Sequence, residues 1–375
     1  MRELLRLPGL IDAHVHLRTP GDSHKEDFAT GSAAALAGGF TTILDMPNTR
    51  PPTVGRTELG AKIAEARGQI RCDVGFFLGA NNENAGELSQ AAPNSVGLKM
   101  YLGQTYGPLL VSDLGIAFAH FVNWAGPGPI AVHAEGLLLA GAIALARASD
   151  CPLHLCHVSR RAEIALIRAA KERGATITCE VTPHHLFLTE RDAKALGSLG
   201  YMKPTLGTEA DRQALWENCD VIDVVASDHA PHTKEEKAGE NPPPGVPGLE
   251  TTLPLLLTAV HEGRIPIRQV VKWLSQNPAS IYCLKQVTDT TVEVDTEAEW
   301  TLGDEPLHTR CGWTPFAGFR VRGKVRRVSL RGVTVFNNGE VLATPGSGRI
   351  VKQECPPEEK SISQRFADRL DPDIQ

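Results

Sequence analysis

The sequence predicts an α/β chain, a (β/α)8 TIM barrel with a small β appendage formed by the C-terminal region and the first few residues. Three observations predict it. Eight short apolar runs rich in β formers alternate with Ala-rich helical patterns over residues 10–285. Those runs are nearly continuous in apolar residues, as parallel strands buried on both faces require. Polar residues collect at the ends of most runs, and no G-x-G-x-x-G follows the first, which disfavours an open sheet with one switch point.

In chain order the strand candidates are Leu10–His16, Thr41–Met46, Asp73–Gly79, Val96–Leu102, Pro129–His133, Pro152–His157, Thr176–Val181 and Val221–Ser227. Helical patterns fall between them at Glu26–Ala37, Glu58–Arg67, Leu114–Asn123, Leu137–Ala146, Arg160–Lys171 and Glu209–Glu217. Eight βα units with right-handed crossovers close most naturally into a barrel. After Tyr282 the texture changes. Thr291–Val294, Lys324–Leu330 and Val333–Phe336 read as short strands, and Asn337-Asn338-Gly339 as a turn into Val341–Ala343. The expected division is a barrel over 10–285, an appendage from 1–9 and 286–350, and a disordered tail over 351–375 containing Pro356-Pro357-Glu358-Glu359-Lys360.

Composition narrows the function. The 375 residues are 42% hydrophobic, enough for a large core, and 38 basic against 44 acidic side chains leave a net charge of −6. That balance disfavours nucleic acid and anionic membranes as partners. Met1–Leu10 lacks the apolar stretch of a signal peptide, and no window reaches the ~18 apolar residues of a membrane span. Eight cysteines without a C-x-x-C pair read as reduced thiols. The chain is therefore expected to be cytoplasmic.

Barrel enzymes gather their catalytic groups at the C-terminal strand ends. The first run ends Asp12-Ala-His14-Val-His16-Leu-Arg18, and alternation along a strand sends His14, His16 and Arg18 to one side. The fifth ends at His133, the sixth at Cys156-His157, and the eighth at Asp228-His229-Ala-Pro-His232. One histidine at a strand end is ordinarily structural. Histidines and a carboxylate at four ends form an N/O donor set suited to Zn2+. Lys99 lies in the apolar strand Val96–Leu102, where burial favours the neutral amine. A neutral amine can add CO2, giving a carbamate whose oxygens can bridge two divalent cations; pairing with Asp228 is the competing reading. Two metals would supply a bridging hydroxide near neutral pH and polarise a carbonyl, with Asp228 as general acid/base. This is amide or cyclic-amide hydrolysis chemistry.

Leu10-Ile-Asp-Ala-His-Val-His-Leu-Arg18, Asp45-Met-Pro-Asn-Thr49, Gly97-Leu-Lys-Met-Tyr101 and Ala226-Ser-Asp-His-Ala-Pro-His232 resemble the amidohydrolase superfamily, and within it the dihydroorotases. Cys179-Glu-Val-Thr-Pro-His-His-Leu186 and Pro243-Pro-Gly-Val-Pro-Gly-Leu-Glu250 resemble the dihydroorotase domain of the multifunctional animal pyrimidine-biosynthesis protein. The likeness spans about residues 7–345. It implies a Zn2+ on His14, His16, Lys99 and Asp228, and a second on carboxylated Lys99, His133 and His157. It further implies that Arg18 and Asn48 bind the substrate's α-carboxylate, and that His232 and the backbone near Pro244 complete the pocket. The implied reaction is reversible cyclisation of N-carbamoyl-L-aspartate to (S)-dihydroorotate in de novo pyrimidine (UMP) biosynthesis. Gly103-Gln-Thr105-Tyr106-Gly-Pro108 corresponds to a mobile loop of the family, with Thr105 reaching over the substrate. A homodimer or a larger pyrimidine-synthesis assembly is the implied partner state.

The chain departs from this pattern at three places. Lys203 stands where the branch usually has a second carboxylate-binding Arg, Thr19 replaces a Glu, and Tyr106 replaces a loop Phe. The branch also suggests that Cys156 and Glu180 join His14 around a third zinc. In a regular strand Cys156 and His157 face opposite sides, so a structural thiol beside a bonded Glu is the alternative. His184 and His185 are expected to cap or line the mouth, and His120, His154, His261 and His308 to be structural. The rival functions are an allantoinase- or hydantoinase-type cyclic-amide hydrolase, which typically lacks an Arg at position 18, and a catalytically silent dihydroorotase-like scaffold.

Overall fold

The computed structural model describes residues 4–126 and 128–353. An edge strand β1 (Leu5–Pro8) precedes eight parallel strands that stand side by side in chain order. These are β2 (Leu10–Val15), β3 (Phe40–Asp45), β4 (Asp73–Gly79), β5 (Gly97–Tyr101), β6 (Ile130–His133), β7 (Leu153–Leu155), β8 (Ile177–Val181) and β9 (Val224–Val225). Every residue of β2 to β7 is buried, which is why the runs read as continuous apolar segments. The ring closes where Val15 bridges His229 and His16 N–H donates to the His229 carbonyl at 2.8 Å. The TIM barrel read from the sequence is the observed architecture.

Two strands end earlier than their apolar runs. β9 stops at Val225 because the buried Asp12 carboxylate accepts the Ser227 N–H at 3.1 and 3.2 Å in place of a ladder partner. β7 stops at Leu155, and two residues on His157 turns to φ 36°. Helices at Phe28–Ala37, Arg56–Arg67, Leu114–Asn123, Leu137–Ser149, Arg161–Glu172 and Glu209–Glu217 fill the crossovers where helical patterns occur. Asp27, Asp113 and Thr208 start three of them by accepting the N–H three residues on. Such caps contribute about 1 kcal/mol each.

The sequence reading passes over a further helix, Leu249–His261. Pro254 sits inside it, and nine of its thirteen residues are buried, so no polar stripe betrays its period. It lies between the barrel and the appendage, where Thr258 Oγ1 accepts the Arg322 N–H at 2.8 Å. The appendage is a five-stranded antiparallel sheet in the order β1, β10 (Thr291–Thr301), β11 (Arg320–Leu330), β12 (Val333–Asn337), β13 (Glu340–Val341). The first residues thus join the C-terminal strands, as expected.

The expected disordered tail needs correction at its start. Val351 N–H donates to the Val74 carbonyl at 2.9 Å and Gln353 Nε2 to the Val96 carbonyl at 2.8 Å, which docks 351–353 against the barrel. Residues 354–375 lie outside the described residues. Cys72, Cys151, Cys156, Cys179, Cys219 and Cys311 are free thiols, whereas Cys283 is disulfide-bonded, contrary to the all-thiol expectation. Among the described residues no helix is long and apolar enough to cross a membrane.

Candidate metal centre and substrate cleft

The strand ends bring His14, His16, Lys99, His133, His157 and Asp228 to one place, all buried. His14 Nε2 lies 3.4 Å and His16 Nε2 3.1 Å from Asp228 Oδ1. His133 Nδ1 is 2.9 Å from His157 Nε2, and Lys99 Nζ donates to Cys156 Sγ at 2.9 Å. His14 Nδ1 meets Glu180 Oε1 at 2.5 Å, and the other Glu180 oxygen meets His154 Nε2 at 3.2 Å. Cys156 and His157 both reach the centre because the strand has already ended and His157 adopts a left-handed backbone. Arg18 (φ 61°) and Asp228 (φ 44°) share that conformation. It costs of order 1–3 kcal/mol per non-glycine residue and persists where surrounding structure imposes it.

The electrostatics fit a cation. Burial pushes His16 down to about 4, burial with Lys99 pushes His133 down to about 3, and burial with His133 holds His157 well below its usual range. Their rings are neutral, each with one lone pair that could turn to a metal in place of its present partner. Burial works against an ionised Asp228, but His14 and His16 hold its carboxyl below the usual carboxylate range. Burial and Lys99 likewise oppose a charged His14, yet Glu180 and Asp228 raise it to about 10. Two buried carboxylates therefore call for positive charge at this point, a demand that a divalent ion meets. The ligand atoms of His14, His16 and Asp228 lie within 4.8 Å of one another, as do those of His14, Cys156 and Glu180. His157 Nδ1 and the Tyr101 hydroxyl are buried without a hydrogen-bond partner.

Above these donors opens a cleft lined by Arg18, Asn48, Thr105, Tyr106, Lys203 and Pro244 as well as by the histidines and Asp228. Arg18 Nε donates to the Pro231 carbonyl at 3.0 Å, and its Nη2 lies 2.9 Å from His232 Nε2. His232 Nε2 is also 3.0 Å from the Pro244 carbonyl. As a neutral ring it either accepts from the guanidinium or donates to that carbonyl. Gly245 (φ 136°) lets this wall close in, since a Cβ there would stand 2.5 Å from the Ala230 carbonyl oxygen. The buried Lys237 ammonium holds the same wall through the Tyr201, Pro243 and Gly245 carbonyls at 2.7, 3.1 and 3.1 Å.

Two residues assigned to the carboxylate have protein partners here. Asn48 Oδ1 is 2.7 Å from His16 Nδ1, and its amide donates to the Tyr106 carbonyl at 2.9 Å. Lys203 Nζ donates to the Gln104 carbonyl at 2.8 Å. His184 and His185 are buried and stand outside the cleft lining, which corrects the expectation that they line the mouth. His154, read as merely structural, touches the centre through Glu180. The sequence reading missed Tyr101, Lys25, Asp22 and Lys237. Tyr101 carried a signal, since it lies two residues after Lys99 on the same strand and so shares its side.

The model of the amidohydrolase family matches residues 5–109. The chain is 50% identical over 93% of its length to the multifunctional protein CAD of Squalus acanthias, but spans only 16% of that protein. It is 37% identical to the dihydroorotase of Pyrococcus abyssi, covering 92% of this chain and 87% of that one. Among solved structures, the L-hydantoinase (dihydropyrimidinase) of Arthrobacter aurescens superposes with a TM-score of 0.87 at 25% identity, over 93% of this chain and 89% of that one. The inactive dihydroorotase-like domain of the Chaetomium thermophilum CAD-like multifunctional protein gives 0.80 at 27% identity, over 94% and 100%. Matched along nearly all of its length to a relative of similar size, the chain belongs to the dihydroorotase family of amidohydrolases.

Proposed function

We propose that the chain is a zinc-dependent dihydroorotase that interconverts N-carbamoyl-L-aspartate and (S)-dihydroorotate plus water in pyrimidine biosynthesis. The observation that carries the reading is one shared cleft, with the His14, His16 and Asp228 donors on its floor and Arg18 on its wall. With Lys99 carboxylated, His14, His16, Lys99 and Asp228 would hold one ion, and Lys99, His133 and His157 the other. His14, Cys156 and Glu180 are the place for a third. When bound, zinc supplies Lewis acidity toward an amide carbonyl and makes water acidic near neutral pH.

The remaining work falls to the chain's own groups. The planar Arg18 guanidinium matches the α-carboxylate with two parallel bonds. In the ring-opening direction Asp228, ionised, accepts a proton from the attacking water and delivers it to the ring nitrogen as the C–N bond breaks. In the closing direction the ionised Asp228 removes the ureido proton as the C–N bond forms and passes it to the departing carboxyl oxygen, which leaves as water with a second proton from the medium. Thr105 and Tyr106 cover the cleft, and excluding water favours closure. A cytoplasmic setting and a place in a larger pyrimidine-synthesis assembly are part of the proposal, the assembly supported by the likeness to multifunctional relatives.

Metal analysis with a substrate panel tests the reading. About two or more zinc ions per chain and turnover of dihydroorotate, lost on exhaustive chelation, are expected. Turnover surviving chelation contradicts it, hydantoin or allantoin turnover in its place favours the related hydrolases, and a zinc-loaded protein inert toward every substrate favours a silent scaffold.

A further inference from the structure

The loop 103–108 crosses the cleft on bonds to three other segments. Lys203 Nζ donates to the Gln104 carbonyl, Asn48 Nδ2 donates to the Tyr106 carbonyl, and the Tyr106 side chain makes the third attachment. Its hydroxyl donates to Asp22 Oδ2 at 2.6 Å and accepts from Lys25 Nζ at 2.8 Å. Lys25 is only 3% exposed and is itself fixed by Glu236 Oε1 at 3.1 Å. The Tyr106 ring stands with Lys25, Arg18 and Arg50 at 4.5, 5.0 and 5.5 Å from its centroid and meets the His232 ring edge to face at 5.0 Å. Gly107 (φ 102°) brings the backbone against Asn48, 3.3 Å from where a Cβ would sit. A phenylalanine at 106 would keep the ring contacts and lose both hydroxyl bonds. The two departures that line the cleft, Lys203 and Tyr106, thus do the same thing, for each fastens this loop.

We propose that Tyr106 is a positioning residue whose hydroxyl, clasped between Asp22 and Lys25, latches the loop over Arg18, with Lys203 as a second tether. What the loop covers rests on the dihydroorotase reading; the latch does not. A loop already held in place loses little further freedom when substrate binds, so the latch acts on binding more than on bond breaking. Asp22 supplies the acceptor, and removing either partner breaks the same bond.

The test compares Tyr106→Phe, Asp22→Ala and the double variant in the zinc-loaded 375-residue chain. Hydrogen exchange of the 103–107 amides without substrate should accelerate about tenfold in Tyr106→Phe. The KM for dihydroorotate should rise about tenfold, the loss in kcat/KM lying in KM and not in kcat. Asp22→Ala should shift both readouts in the same direction, and the double variant should be no worse than the stronger single one. Unchanged loop exchange in Tyr106→Phe overturns the latch, as do independent, additive effects of the two substitutions. If the wild type turns over no dihydroorotate, the functional reading fails while the exchange comparison still decides the latch.

Discussion

The floor and the walls of the cleft are built by different means. The floor donors stand on or next to β2, β5, β6, β7 and β9, all buried, and their positions follow from the barrel's closure. The walls are loops held by hydrogen bonds between segments far apart in sequence: Arg18 to Pro231, Asn48 to Tyr106, Lys203 to Gln104, Lys237 to Tyr201. The contrast teaches where each kind of change should register. A floor substitution removes chemistry. A wall substitution alters how substrate is held, and a change behind both should touch stability alone.

The largest effect is expected on the floor. Asp228→Ala should lower dihydroorotate turnover by about 10³-fold, within the range for a general acid/base. Retention of a tenth of the activity would dissolve the distinction. Next comes the wall. Arg18→Ala removes charge-assisted bonds to a carboxylate and should cost about 100-fold in kcat/KM for the carboxylated ring. An uncharged cyclic amide should notice little, so an equal loss on both would make Arg18 a structural prop of the floor.

The smallest effect on turnover is expected at the joint between barrel and appendage. The Glu250 carboxylate accepts the His308 and Thr309 N–H groups, both at 3.0 Å. Burial raises its pKa to about 7 despite those bonds. Its folded pKa thus lies above its unfolded one, so its stabilising contribution is whole below about pH 4.5 and disappears as pH rises through 7. The upper limit is about 3 kcal/mol. Urea unfolding of wild type and Glu250→Gln between pH 5 and 7.5 should show the wild type losing its relative advantage as pH rises. A constant difference would show that the carboxyl does not titrate on folding in that window.

The same division explains what the sequence discloses. All eight barrel strands are legible because burial on both faces makes them continuous apolar runs. His14, His16, His133, His157 and Asp228 are legible because a polar residue ending such a run has few structural uses. The helix Leu249–His261 is hidden by Pro254 and by partners on nearly every side. The convergence of Cys156 and His157 depends on one backbone angle, and the tethers of Asn48, Lys203 and Tyr106 on loop-to-loop contacts spanning 58 to 99 residues for the first two and 81 to 84 for the last. No local pattern carries those.

The two-metal reading turns on Lys99, whose Nζ now touches the Cys156 sulfur. A crystal structure of the zinc-loaded protein reads it directly. The account predicts a planar carboxyl group extending from Nζ between two metal ions, with His133 and His157 on one and His14, His16 and Asp228 on the other. A bare amine still resting on Cys156 in the metal-loaded, active protein would contradict it.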